Sequence, residues 1–126
     1  MLDEVRAELD GTGGPRPHAI VIGDGGRVAS GAADFCTAMG MRVTRWDVEE
    51  TAHGGPFPEI LAHELFLNCV RAQPGTPVFV PVSAVNPGRR LRVIGDISCD
   101  IDGAIECTVK GTEPGEPNFV YNPATG

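Results

Sequence analysis

His18-Ala-Ile-Val-Ile-Gly-Asp-Gly-Gly-Arg-Val-Ala-Ser-Gly-Ala32 is the stretch that decides the fold of this chain. Ala19 to Ile22 is an unbroken apolar run, the pattern of a parallel strand buried on both faces. It passes directly into Gly23-Asp24-Gly25-Gly26, and Ala29, Ala32, Ala33, Cys36 and Met39 then recur along one side of a helical spacing. Strand, glycine turn and helix are the entrance of a dinucleotide-binding βαβ unit. Glycines let the backbone turn tightly and approach a pyrophosphate, and the helix N-terminus offers free N–H groups and a positive dipole end. The spacing departs from G-x-G-x-x-G, since Gly23, Gly25 and Gly26 crowd the turn and Ala29 and Gly31 follow.

A second strand reads from Met41 to Trp46, with Asp47 at its C-terminal end. That places an acid about 20 residues past the glycine turn, where it accepts hydrogen bonds from an adenosine ribose. A 2′-phosphate would be repelled there, so the spacing favours NAD over NADP. The alternative is a buried strand followed by an ordinary loop acid with no ligand.

At 126 residues the chain is long enough for one domain and short for a complete dinucleotide-binding enzyme. Its formal charge of −7 argues against nucleic acid, whose phosphates need a basic face, and against an anionic membrane surface. No apolar run approaches the ~20 residues of a membrane span, and the N-terminus lacks a basic-then-apolar signal, which points to a cytoplasmic protein. Cys36, Cys69, Cys99 and Cys107 form no C-x-x-C pair, and His18, His53 and His63 have no metal-ligand spacing, so no metal site is expected.

Leu2, Val5 and Leu9 have helical spacing, and Gly11 to Pro17 reads as a linker. Val48 to Phe57 reads as a long irregular polar loop, and Pro58 to Ala62 as a short helix with proline in its first turn. Glu64 to Val70 is a third buried strand, and Leu91 to Ile97 a fourth. Between them Val78-Phe-Val80 has strand composition, but Pro77 and Pro81 limit it to an edge or a turn, and Val82 to Asn86 fits one helical turn. Arg89-Arg-Leu-Arg92 is a local basic cluster whose simplest reading is a solvated face.

Taken together, Gly26-Arg27 with Ser30-Gly-Ala32, Trp46-Asp47, Glu50-Thr51, Gly54-Gly-Pro-Phe57, Phe66-Leu-Asn-Cys69, Arg89-Arg-Leu-Arg92 and Asp96-Ile-Ser-Cys-Asp100 occur in an order that resembles the nucleotide-binding domain of the saccharopine dehydrogenase family. Asp102 to Glu106 and Phe119 to Pro123 also resemble the related lysine-ketoglutarate reductases. The resemblance covers about residues 18 to 123, and W-D-x-x-E-T-x-x-G-G-P-F is its most specific block. It implies a Rossmann-like α/β domain with an open parallel sheet of about four strands here. Residues 18–126 would be the NAD-binding domain, incomplete at its C-terminus, and residues 1–17 a helix and linker from a missing preceding domain.

The implied reaction converts saccharopine, NAD and water into lysine, 2-oxoglutarate and NADH, or the reverse. By resemblance Gly26 and Arg27 meet the cofactor phosphates, and Asp47 holds the adenosine ribose with Thr51 beside it. Arg71 sits where the family has a cofactor contact after the third strand, although an arginine there departs from related sequences, and Ile97 lies beside the cofactor. Each has a plainer rival: Arg27 as a solvated residue, Thr51 as a loop cap, Ile97 as core as well as wall. Three departures stand out. Ala29 replaces a common glycine, which would set helix and strand slightly farther apart, and Asp24 puts a carboxylate in the phosphate turn. The family's acid/base lysine and histidine belong to a preceding domain, so no catalytic residue is expected in this chain.

Overall fold

The computed structural model describes residues 2–11, 15–23, 26–51, 57–70, 77–81, 83, 89–97, 105–106, 108, 111–112, 114–116 and 118–121. Helix α1 (Leu2–Gly11) leads to strand β1 (His18–Ile22), helix α2 (Arg27–Ala38) and strand β2 (Arg42–Trp46). Two single-turn helices follow, α3 (Val48–Thr51) and α4 (Pro58–Leu61), then strands β3 (Leu65–Asn68) and β4 (Val93–Asp96). The four strands form one parallel sheet in the order β2-β1-β3-β4. This is the expected Rossmann-like α/β architecture.

Alternation along the strands divides the core. Val21, with half-buried Val43 and Leu67, faces Ala29 and Ala33 of α2. Ile20, Ile22 and Phe66 face the other way, against Phe57, Ile60 of α4, Phe79, Val80, Leu91 and Ile105. Leaving β1 toward β2 and then returning past β1 to β3 reverses direction, so crossovers of one hand put α2 and α4 on opposite faces. Edge-to-face rings link the second layer: Trp46 to Phe57 at 6.2 Å, Phe57 to Phe79 at 5.5 Å and Phe79 to Phe66 at 6.3 Å between centroids.

Alanines on the buried side of α2 let the helix lie close to the sheet, and Gly23 completes that approach. A Cβ on Gly23 would stand 2.7 Å from the Ala29 Cβ and 3.3 Å from the Cys69 Cβ. The Ala29 methyl therefore packs where Gly23 has no side chain. Helix α2 ends in a Schellman motif: Gly40, at φ +81°, donates to the Thr37 carbonyl and Met41 to that of Cys36. Arg16 adds an external cap, with Nε 2.7 Å from the Met39 carbonyl oxygen and Nη2 bonded to Asp10.

Several boundaries differ from the sequence reading. Helix α1 takes in Gly11, where the linker was expected to begin. Val48 to Thr51 is helical rather than irregular, and Leu91 lies outside β4, buried in the second core layer. Among the described residues Val80 makes one parallel bridge, to Ile105, and most of Val82 to Asn86 lies outside the described residues.

Candidate functional site at the carboxyl ends of the strands

All four strands point the same way, so the residues that follow them share one edge. Ladder-like backbone bonds continue past the strand ends and fix those residues against each other. Gly23 N–H donates to the Trp46 carbonyl (3.1 Å), Cys69 N–H to that of Ile22 (2.8 Å), and Ile97 N–H to that of Asn68 (3.0 Å). Asp47, Gly23, Cys69 and Ile97 thus form a row across three strand spacings, about 14 Å at ~4.8 Å each. Strand order reverses direction between β1 and β3, which makes the crevice outside their carboxyl ends the topological switch point where open α/β sheets bind ligands.

At one side of that crevice lies the N-terminus of α2. Its N-cap is Gly26, in extended conformation (φ −73°, ψ 173°), and no side chain caps it. The first turn contains no acid and begins with exposed Arg27. A positive side chain at the positive end of a helix is unfavourable by itself and becomes favourable when an anion sits there. Arg45 Nη2 reaches the Ser30 hydroxyl one turn further on (3.3 Å), bringing a second guanidinium to the same end. The sequence reading overlooked it because Arg45 belongs to β2 and is distant along the chain.

Asp47 is exposed at the end of β2 and opens α3. Its N–H donates to the Glu50 carboxylate (2.9 Å) and its carbonyl accepts from Glu50 N–H (3.2 Å), the back-reaching half of a capping box. The Asp47-x-x-Glu50 spacing is the sequence signal for this turn. The Thr51 hydroxyl donates back to the Asp47 carbonyl (3.4 Å), so Thr51 steadies the aspartate's backbone. Ile97 is half exposed (50%), which corrects its reading as core. Arg71, Asp24 and Gly25 lie outside the described residues.

Beneath Ile97, a buried network that sequence did not suggest joins β3, β4 and the tail. Asn68 Nδ2 donates to Asp96 (3.0 Å), Val70 N–H to Asn68 Oδ1 (3.2 Å), and the Thr108 hydroxyl to the other Asp96 oxygen (2.6 Å). It sets the exits of both strands. On the α2 side of the sheet, Cys36 is buried and Cys69 half-buried, and burial pushes both thiols up.

A different cluster occupies the sheet nearer its amino end. A carbonyl can only accept, so His63 Nδ1 donates to the Glu59 carbonyl (2.7 Å). In the neutral ring Nε2 then accepts from the Thr44 hydroxyl (2.8 Å), which in turn accepts from His18 Nε2 (3.1 Å). The rings lie 4.3 Å apart. Burial, His63 and Arg42 push the His18 pKa below its ordinary 6.5, against a smaller raising effect of Glu64. A depressed histidine pKa means the unfolded chain binds more protons in that window. Stability is therefore fully present above pH 6.5 and is lost as pH falls through the folded pKa. Urea midpoints should drop between pH 7.5 and 5.5, and the drop should be smaller in His18→Gln than in the parent. An equal drop would remove His18 from the account.

No family model matches the chain. Curated relatives do. It is 37% identical to the saccharopine dehydrogenase (NAD(+), L-lysine-forming) of Candida glabrata over 118 residues, which span 90% of this chain and 29% of that protein. It is 37% identical to the enzyme of that name from Schizosaccharomyces pombe over 123 residues, 94% of this chain and 31% of the relative. The Candida albicans protein is 36% identical over 99% of the chain, again covering only 32% of its own length.

Over nearly its whole length the chain is similar to proteins named saccharopine dehydrogenase.

It spans about a third of the length of these relatives. The four-stranded parallel sheet is consistent with a partial Rossmann-like domain of such a protein. No helix among the described residues is long and apolar enough to cross a membrane.

Proposed function

We propose that this chain is the NAD(H)-binding portion of a saccharopine dehydrogenase-type oxidoreductase of lysine metabolism. The observation that carries the reading is the carboxyl edge of the sheet. There an uncapped α2 N-terminus begun by Gly26 and Arg27, and the exposed acid Asp47, flank the switch point. These residues fit a dinucleotide. The α2 N–H groups and Arg27 meet the pyrophosphate, and Gly23 leaves the backbone close to the helix because no Cβ can fit. Asp47, steadied by Glu50 and Thr51, accepts from the ribose hydroxyls, and Ile97 gives an apolar wall at the far end of the row. Arg71 completes the proposed contacts after β3.

Bound NAD supplies the hydride acceptor, while the protein's work is positioning and exclusion of water. The proposed overall conversion is saccharopine, NAD and water to lysine, 2-oxoglutarate and NADH, or the reverse. Its proton-transfer groups would come from the part of the protein outside this third, so the chain alone would bind cofactor without turnover.

Titration of the chain with NADH and NADPH, followed by nicotinamide fluorescence, tests the reading. Saturable binding with NADH the tighter ligand is expected, and binding of neither would overturn it. Arg27→Ala should weaken NADH about tenfold, the loss of one charge-assisted contact to phosphate, and should flatten the salt dependence of binding. Unchanged affinity would return Arg27 to a solvated surface role.

A further inference from the structure

The edge of the sheet opposite the switch point carries a groove of about 400 Å3, within the range of small-molecule sites. Arg16, Arg89, Arg90, Arg92 and Glu64 line it. These side chains carry a net of three positive charges on a chain whose formal charge is −7. Four of the ten Lys and Arg residues converge here, although like charges repel. The Arg89-Arg-Leu-Arg92 cluster, read as a solvated face, holds Arg90 and Arg92 exposed along this groove.

The backbone holds the groove in shape. Arg90 N–H donates to the Leu61 carbonyl (3.0 Å), and the N–H groups of Arg92 and Val93 to that of Glu64 (2.9 and 3.1 Å). The Glu64 carboxylate takes the His18 N–H at 3.0 Å and stands 3.8 Å from Arg90 Nε. It is thereby committed to the sheet and to one arginine, as Asp10 is to Arg16. Arg16, with its side chain 20% exposed, is anchored by the Met39 carbonyl and Asp10, which use two of its five N–H donors. Pro15 and Pro17 give the adjoining wall fixed φ angles. Guanidinium groups present paired donors in a plane that matches the oxygens of phosphate and carboxylate.

We propose that this amino-end groove binds a small oxyanion bearing two or more negative charges, a phosphate or polycarboxylate group, at a site separate from the proposed cofactor edge. The test is amide NMR on the isotopically labelled chain, titrated with sodium pyrophosphate, sodium citrate, or sodium chloride at matched ionic strength. Saturable shifts at Arg16, His18, Glu64 and residues 89–92 are expected with pyrophosphate, citrate or both, and the more effective anion identifies the source chemistry. Arg90→Gln combined with Arg92→Gln, both exposed side chains, should weaken that response about tenfold or more while leaving the remaining spectrum in place. Shifts confined to residues 26–30 would report the α2 N-terminus and would overturn the groove while sparing the cofactor reading. Linear shifts equal to those with chloride, or saturable shifts unaltered in the double variant, would also overturn it.

Discussion

Gly23→Ala is expected to destabilise the chain by about 2 kcal/mol, and Gly23→Val by more, read as a lowered urea midpoint at unchanged slope. The added Cβ would lie 2.7 Å from the Ala29 Cβ and 3.3 Å from the Cys69 Cβ, atoms attached directly to backbone rather than flexible ends. Relief must come from moving α2 or the end of β3. Both movements disturb buried contacts of Val21, Ala33 and Leu67. The same movement would widen the turn that leads to Gly26, so binding at the α2 N-terminus should weaken together with stability. Ala29→Gly offers a check because it removes the clashing methyl. Alone it costs about 1 kcal/mol through helix propensity, but in the Gly23→Ala background it should restore part of the loss. An unmoved midpoint in Gly23→Ala, or additive losses in the pair, would show that the close approach of helix and turn is not what requires glycine.

That pair also marks how far sequence alone reaches. The Ala19–Ile22 run was legible as a short unbroken apolar segment ending in glycines, and the small-residue side of α2 by its helical recurrence. The four parallel strands followed from apolar runs separated by helical or loop segments. Alternation within the strands then split the core into two layers. The position of the tight approach was not legible. The Ala29 methyl stands where a Cβ on Gly23 would meet it, a contact that no periodicity signals. Helix α3 escaped because four residues give no period, and only the Asp47-x-x-Glu50 spacing hints at its cap. Leu91 and Ile97 were read into the fourth strand by hydropathy, which cannot distinguish an edge strand from a central one. In the structure β4 is an edge, and both Val93 and Ile97 are more than half or half exposed. The His18, Thr44 and His63 cluster was hidden for another reason. Its members lie 19 and 26 residues apart and meet only because parallel register sets Thr44 opposite Ile20 and His18 opposite Arg42.

For the candidate site, the sequence located the edge better than the roles. Gly26, Arg27, Asp47 and Ile97 do gather at the carboxyl ends of the strands, because a parallel sheet brings every strand exit to one side. What each contributes depends on local bonds that motif matching does not encode. Thr51 holds backbone, Glu50 holds the Asp47 N–H, and Asn68 with Asp96 and Thr108 sets the exits beneath Ile97.

Asp47→Ala should have the largest effect on ligand selection, lowering NADH affinity about 10- to 100-fold while leaving NADPH affinity unchanged or raised. The carboxylate is an exposed charge at the end of β2, and its backbone is held on both sides by the Glu50 and Thr51 bonds and by the Gly23 N–H on the neighbouring Trp46 carbonyl. Hydrogen bonds to a charged acceptor contribute about 1.5–3 kcal/mol, which corresponds to that range of affinity. A 2′-phosphate meets the same carboxylate as a like charge, and removing it lifts the repulsion. Asp47 also stands at the N-cap position of α3, where replacing aspartate by alanine generally costs about 1 kcal/mol, so the ratio of NADH to NADPH affinity is the decisive quantity, since a local loosening would lower both. Asp47→Asn keeps the cap and most of the shape and should fall between parent and alanine in that ratio. Parallel losses for both cofactors would make Asp47 a structural cap of α3. A collapsed preference for NADH, with Asp47→Asn intermediate, would assign it the adenosine ribose.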